Sequence, residues 1–204
     1  DIAESEIGKY SACYKLTLFM TLFATAFRMG IEPFFFSHSK SDNPQRAYAQ
    51  ITNYFVILGS VILLSVVVYA DVLKLFIVPN SDYWEAMSVV PIIILASFCL
   101  GIYHNLSVWY KVTDRTKFGA YISLIGAVLT IIIILSFFFG RMYYPIPYNH
   151  RKIIFYLVVS ISFSMLSFYA FNRNLIIGSI LFIIFLGMVY RLESDKLKQI
   201  FLRK

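Results

Sequence analysis

Long apolar runs separated by short polar stretches set the plan of this chain. The runs occupy residues 10–36, 47–70, 86–110, 118–139, 153–171 and 175–190. About 20 helical residues, rising 1.5 Å each, cross a hydrocarbon layer of about 30 Å. Each run reaches or approaches that length. The pattern therefore predicts an all-α fold, a polytopic transmembrane helix bundle of about six spans in one membrane domain, residues 1–204. Pro33 predicts a kink or an end in the first helix. The second run opens on Gln50, Thr52 and Asn53, which suit protein or interface contact. Pro91 and Gly101 in the third run are tolerated where neighbours satisfy the freed backbone groups. In the fourth, Gly119, Ser123 and Ala127 recur every four residues, a face for close helix contact. Thr113 or Asp114 is its expected N-cap. Only FNRN separates the last two runs, which predicts a tight antiparallel hairpin. Residues 71–85, with three acids and one Lys, read as a polar loop. Residues 191–204 set Leu192, Ile200 and Phe201 among five Lys/Arg, the pattern of a short basic interfacial helix.

Composition agrees with a membrane class. The chain is 59% hydrophobic and 14% charged, with mean hydropathy +0.73. Soluble domains carry about 25% charged residues, so a single water-facing core cannot hide this much apolar surface. A net charge of +7 could serve nucleic acid, but the basic residues cluster in short loops between the runs. That distribution is a topology signal and excludes nucleic acid as a partner. Cys13 and Cys99 show no CxxC spacing, and His38, His104 and His150 are scattered. No metal or other cofactor is expected. The opening DIAESEIGKY lacks a basic leader and reads as a loop.

Charge orients the spans. Lys and Arg number two in residues 37–46, one in 71–85, three in 111–117, three in 141–152, one in FNRN and five in the tail. Basic loops face the cytoplasm. The first three loops then alternate in, out, in, and the last two alternate out, in. The 111–117 and 141–152 loops both belong inside, yet a single apolar run lies between them. Trp109, Tyr103, Tyr110 and Tyr121 around the 111–117 loop resemble an interfacial aromatic belt.

Four charged residues are the candidates for substrate binding: Arg28, Glu32, Lys111 and Arg115. Arg28 and Glu32 lie four apart on one helix face inside an apolar run, where ionisable groups face protein or a water-filled cavity. The simpler reading is a mutual ion pair with Arg28 reaching the interface. Lys111, Arg115 and Lys117 could draw anionic head groups, or could serve topology alone. His104 and Asn105 could line a pathway or bond a neighbouring helix, and the triplets Phe34 to Phe36 and Phe137 to Phe139 suit lipid contact.

The phrases IGKYSACYKL, AFRMGIEPFFF, GIYHNLSVWYKVTDRTKFGAYISLIGA and YYPIPYNHRK resemble bacterial polysaccharide-biosynthesis flippases. Those proteins belong to the multidrug/oligosaccharidyl-lipid/polysaccharide exporter superfamily, in a branch common among Bacteroidetes. The resemblance implies two pseudo-symmetric lobes, of which this chain is the second, C-terminal one, entered before its second helix. The N-terminal lobe is then a partner outside this sequence. It further implies a helix between the LTIIIIL run and YYPIPY that is not found here, at the point where the charge count conflicts. The implied function is alternating access in a bacterial inner membrane. A lipid-linked oligosaccharide would move toward polysaccharide or lipopolysaccharide export, among membrane lipids, with no catalytic residue. A cation-coupled multidrug antiporter is the alternative, with Glu32 as its carboxylate; a truncated, non-transporting remnant is another. A membrane enzyme acting on lipid-linked sugars would need a His/Asp/Arg cluster in a large outer loop, and residues 71–85 hold neither His nor Arg.

Overall fold

The computed structural model describes residues 2–37, 43–78, 80–126 and 149–202. Every described element is helical: α1 (Ile2–Ser37), α2 (Pro44–Val68), α3 (Ala70–Ile77), a 3-10 helix (Ser81–Val89), α4 (Val90–Leu106), α5 (Val108–Val112), α6 (Thr116–Gly126), α7 (His150–Met165), a π turn (Leu166–Ala170) and α8 (Leu175–Leu202). Five stretches are long and apolar enough to cross a membrane: Tyr14–Ser37, Pro44–Val68, Met87–Val112, Arg151–Ala170 and Leu175–Ser194. They match five of the six runs. Most of the other run, beyond Gly126, lies outside the described residues.

α2 is the central post. It packs on α1 and α4 along one side and on α7 and α8 along the other. Two-thirds of its apolar window is buried, against 11% for α1 and for α8. Phe55 on α2 stacks on Phe23 (5.2 Å), meets Phe27 edge-on (5.0 Å) and lies 6.0 Å from Phe98 of α4. Two glycines admit this ring cluster. A Cβ on Gly59 would stand 2.3 Å from Phe98, and one on Gly101 would stand 2.4 Å from Phe55. Of the mixed opening of α2, Gln50 is exposed while Thr52 and Asn53 turn inward, the Thr52 hydroxyl donating to the Tyr48 carbonyl at 3.0 Å. The small-residue face of α6 meets protein at Gly119, where a Cβ would touch Tyr110 at 2.6 Å. The Ser123 side chain and Ala127 lie outside the described residues.

The two ends of the bundle are set by its pairings. Arg173 in the FNRN turn reaches Asp71 at 3.4 Å, and the Tyr169 hydroxyl donates to the Ser88 carbonyl at 3.2 Å. Residues 71–88 and the α7–α8 turn therefore share one end. At the opposite end, Phe35, Tyr48, Trp109, Tyr110 and Ile122 form one cluster. α7 runs away from that end alongside α2, so Lys152 at its start lies at the same end as Lys111. Lys111 and the described end of the second basic loop, with Arg151 and Lys152, therefore share one end of the bundle.

Several local expectations need correction. Residues 2–9 are helical, since nothing in them breaks a helix before the apolar run begins. Residues 71–85 are not a loop: α3 and the 3-10 helix fill most of them. Of the two outcomes expected at Pro33, a kink or an end, the end does not occur: α1 continues to Ser37. Thr113 and Asp114 do not cap α6. The Thr113 hydroxyl donates backward to the Trp109 carbonyl at 2.6 Å, and Asp114 adopts φ 56 to turn the chain. The tail continues α8 to Leu202 rather than forming a separate helix. Trp109 and Tyr110 are buried in protein rather than standing in an aromatic belt, and only Tyr121 of that group is broadly exposed. Phe35 is buried too, while Phe36 keeps the outward position expected of the triplet.

Candidate functional site

The candidate site lies along the seam between α1 and α4. α1 contributes Tyr14, Thr21, Thr25 and Arg28; α4 contributes Ser97 and His104. With Ala24, Leu100 and Gly101 they line a pocket of about 130 Å³. The polar residues of α1 fall at positions 14, 21, 25 and 28, a spacing that keeps them on one helix face. Gly101 lets α4 approach, since a Cβ there would also lie 3.2 Å from the Ala24 methyl. Toward the 111–117 end the seam continues as a narrow cleft lined by Arg28, Glu32, His104, Asn105 and Lys111.

Glu32 does not pair with Arg28. Its carboxylate accepts from the Lys111 ammonium at 2.7 Å, across 79 residues of sequence. The break between α4 and α5 makes this contact possible. The Ser107 hydroxyl donates to the His104 carbonyl at 2.7 Å and its N–H to the Tyr103 carbonyl at 2.8 Å, and the helix restarts at Val108. Lys111 is thereby brought against α1. Arg28 is exposed and has no hydrogen-bond or ion-pair partner among the described residues. Asn105 donates to the Gly101 carbonyl at 3.1 Å, a bond within its own helix, while His104 faces the pocket.

Of the four predicted site residues, the structure brings Arg28, Glu32 and Lys111 together. Arg115 stands apart in the turn before α6, where its N–H donates to the Tyr110 carbonyl at 2.8 Å. The hydroxyls of Tyr14, Thr21, Thr25 and Ser97 were missed, although the spacing on α1 was a usable signal. A second polar cluster was missed altogether. Glu193, 5% exposed, accepts from Lys152 at 2.5 Å and from the Tyr156 hydroxyl at 3.1 Å. Among the described residues, no group of three His, Cys, Asp or Glu could hold a metal.

The Glu32–Lys111 pair is partly open to solvent, with side-chain exposures of 37% and 31%. Such a pair contributes roughly 0.2–1 kcal/mol, so its effect is to position α5 rather than to hold the fold. Lys111→Ala is therefore expected to move the thermal midpoint of the purified protein by no more than about 4 °C. A drop of 8 °C or more would make the pair a main support of the bundle.

Among known families, the MatE family model matches residues 2–136. No curated protein and no solved structure matches the chain.

Proposed function

From the premise that the chain belongs to the MatE family, multi-pass membrane transporters rather than enzymes, we propose that it is part of an inner-membrane flippase for a lipid-linked, pyrophosphate-bearing saccharide. One observation carries this reading: Arg28, with no hydrogen-bond or ion-pair partner among the described residues, lines a polar pocket inside a membrane span. A pyrophosphate leaving water must meet cations and donors, because burying an uncompensated charge is costly. Arg28 offers a planar fork for two phosphate oxygens, with the hydroxyls of Thr25 and Ser97 and the His104 imidazole beside it in the pocket. The Glu32 carboxylate is engaged by Lys111 at 2.7 Å and makes no direct ion pair with Arg28, which leaves the guanidinium fork open to phosphate. The exposed outer face of α1, with Leu22 and Met29, leaves room for a facing lobe that completes the cavity. Rocking of the two lobes exposes the cavity to each side in turn, and no bond is made or broken.

The test is made in the full-length protein in its host. Arg28→Ala is expected to abolish surface polysaccharide while membrane abundance stays near normal. Arg28→Lys is expected to rescue in part, since Lys keeps the charge and loses the fork. Lys117→Ala, outside the seam, is expected to change little. Full surface polysaccharide with Arg28→Ala would overturn the reading. The intramembrane carboxylate of Glu32 favours a second reading, a cation-coupled multidrug antiporter. In that case Glu32→Gln would abolish ion-driven efflux of a lipophilic cation, and Arg28→Ala would leave surface polysaccharide unchanged.

A further inference from the structure

The segment joining the α2 and α4 spans carries an apolar face turned away from the bundle. At about 100° per residue, α3 divides into three sectors. Ala70, Leu73 and Ile77 turn inward, Ala70 being 2% exposed and the other two packing around Val78 and Met87. Asp71 and Lys74 form the next sector and pair at 2.5 Å. Val72, Leu75 and Phe76 fill the remaining sector, with Leu75 59% and Phe76 80% exposed.

This face stands at a defined height. The span before α3 ends at Val68 and the next begins at Met87, so α3 lies where hydrocarbon gives way to head groups. The Lys74 ammonium sits 4.5 Å from the Trp84 ring centre, and the Trp84 indole N–H donates to the Val78 carbonyl at 3.1 Å. Asp71 also receives Arg173 from the α7–α8 turn at 3.4 Å. These ties hold the segment in one orientation. Below it, Val72 and Leu73 form the upper wall of a groove of about 470 Å³ that continues along Phe19, Val61, Ile62 and Val66. The apolar groove along α2 thus runs on to α3, with Ser65 and Tyr69 as its polar members.

We propose that α3 lies in the bilayer interface, with Leu75 and Phe76 sunk among the acyl chains of phospholipid in that leaflet. A helix with one apolar and one charged face settles about 5–10 Å into the boundary between head groups and chains. A Trp with a cation beside it is suited to the same level. The inference rests on the membrane-spanning architecture and is independent of the substrate.

The experiment places a nitroxide at Phe76→Cys in the Cys13→Ser, Cys99→Ser background, in the full chain reconstituted in phosphatidylethanolamine/phosphatidylglycerol vesicles. Leu75→Cys is the second variant and Ser81→Cys the water-exposed control. At positions 76 and 75, dissolved oxygen is expected to relax the label more than a water-soluble nickel chelate, with the order reversed at 81. A nickel-dominated signal at both 75 and 76 would make the segment a solvated loop and overturn the proposal. Low access to both relaxants would mean that protein covers the face, a facing lobe or a second copy, and would overturn it equally.

Discussion

Gly59→Leu is expected to prevent the bundle from assembling. A Cβ alone would stand 2.3, 2.9 and 3.0 Å from three Phe98 ring atoms. No real contact is that short, so the ring would have to move. Phe98 is fully buried, and it is wedged by Phe55, which is itself held by Phe23 and Phe27. The rings link α1, α2 and α4, so relief at one contact moves three spans. Overpacking a tight core costs about 1–3 kcal/mol for added methylenes, and a whole Leu side chain at this position exceeds the upper end. Gly187 is the internal control, because a Cβ there meets nothing within 4 Å. Gly187→Ala should be neutral or slightly stabilising, since Ala outranks Gly in a helix by about 1 kcal/mol. Detergent-solubilised yield and thermal midpoint, compared between the two variants, provide the check. Equal behaviour of Gly59→Leu and Gly187→Ala would show that the ring cluster yields freely.

What was legible in advance follows from the range of each cue. Apolar runs are continuous in sequence, so five spans and the FNRN hairpin could be found from them. In that turn, Asn172 and Arg173 take φ 47 and 61, and the Asn174 side chain accepts from the Ile176 N–H at 3.0 Å. Residues 71–85 misled because their acids drew attention away from Val72, Leu73, Leu75, Phe76 and Ile77, which already carry a helical period. The ion partners were out of reach for another reason. Glu32 offered Arg28 one turn away, whereas its actual partner Lys111 enters through a break at Ser107 that polar spacing does not announce. Trp109 near Lys111 had the composition of a belt residue, and it is enclosed by the meeting of α1, α2, α5 and α6, where the Phe118 ring lies 5.8 Å away.

Lys152→Ala is expected to destabilise the protein more than Glu193→Ala, although the two residues form one ion pair. The difference lies in what each substitution leaves behind. The Glu193 side chain is 6% exposed and that of Lys152 is 28% exposed. Removing Glu193 leaves an ammonium on a long, flexible stem at the end of a span, where it can turn to water. Removing Lys152 takes one partner from a carboxylate buried in the α7–α8 contact, which keeps the Tyr156 hydroxyl among those that remain. Breaking a fully buried pair costs about 3–5 kcal/mol; the partial exposure of Lys152 brings the estimate for Lys152→Ala to about 2–3 kcal/mol and that for Glu193→Ala to about 1–2 kcal/mol. The double variant Lys152→Met/Glu193→Leu removes both charges and keeps the volume. It should be more stable than Lys152→Ala alone, because a matched apolar pair avoids the desolvation that the ions incur. Thermal midpoints of the three variants in one detergent give the order directly. If Glu193→Ala proves the worst of the three, Glu193 supports the hairpin through contacts beyond Lys152, and the pair is not the unit that holds α7 to α8 at this end.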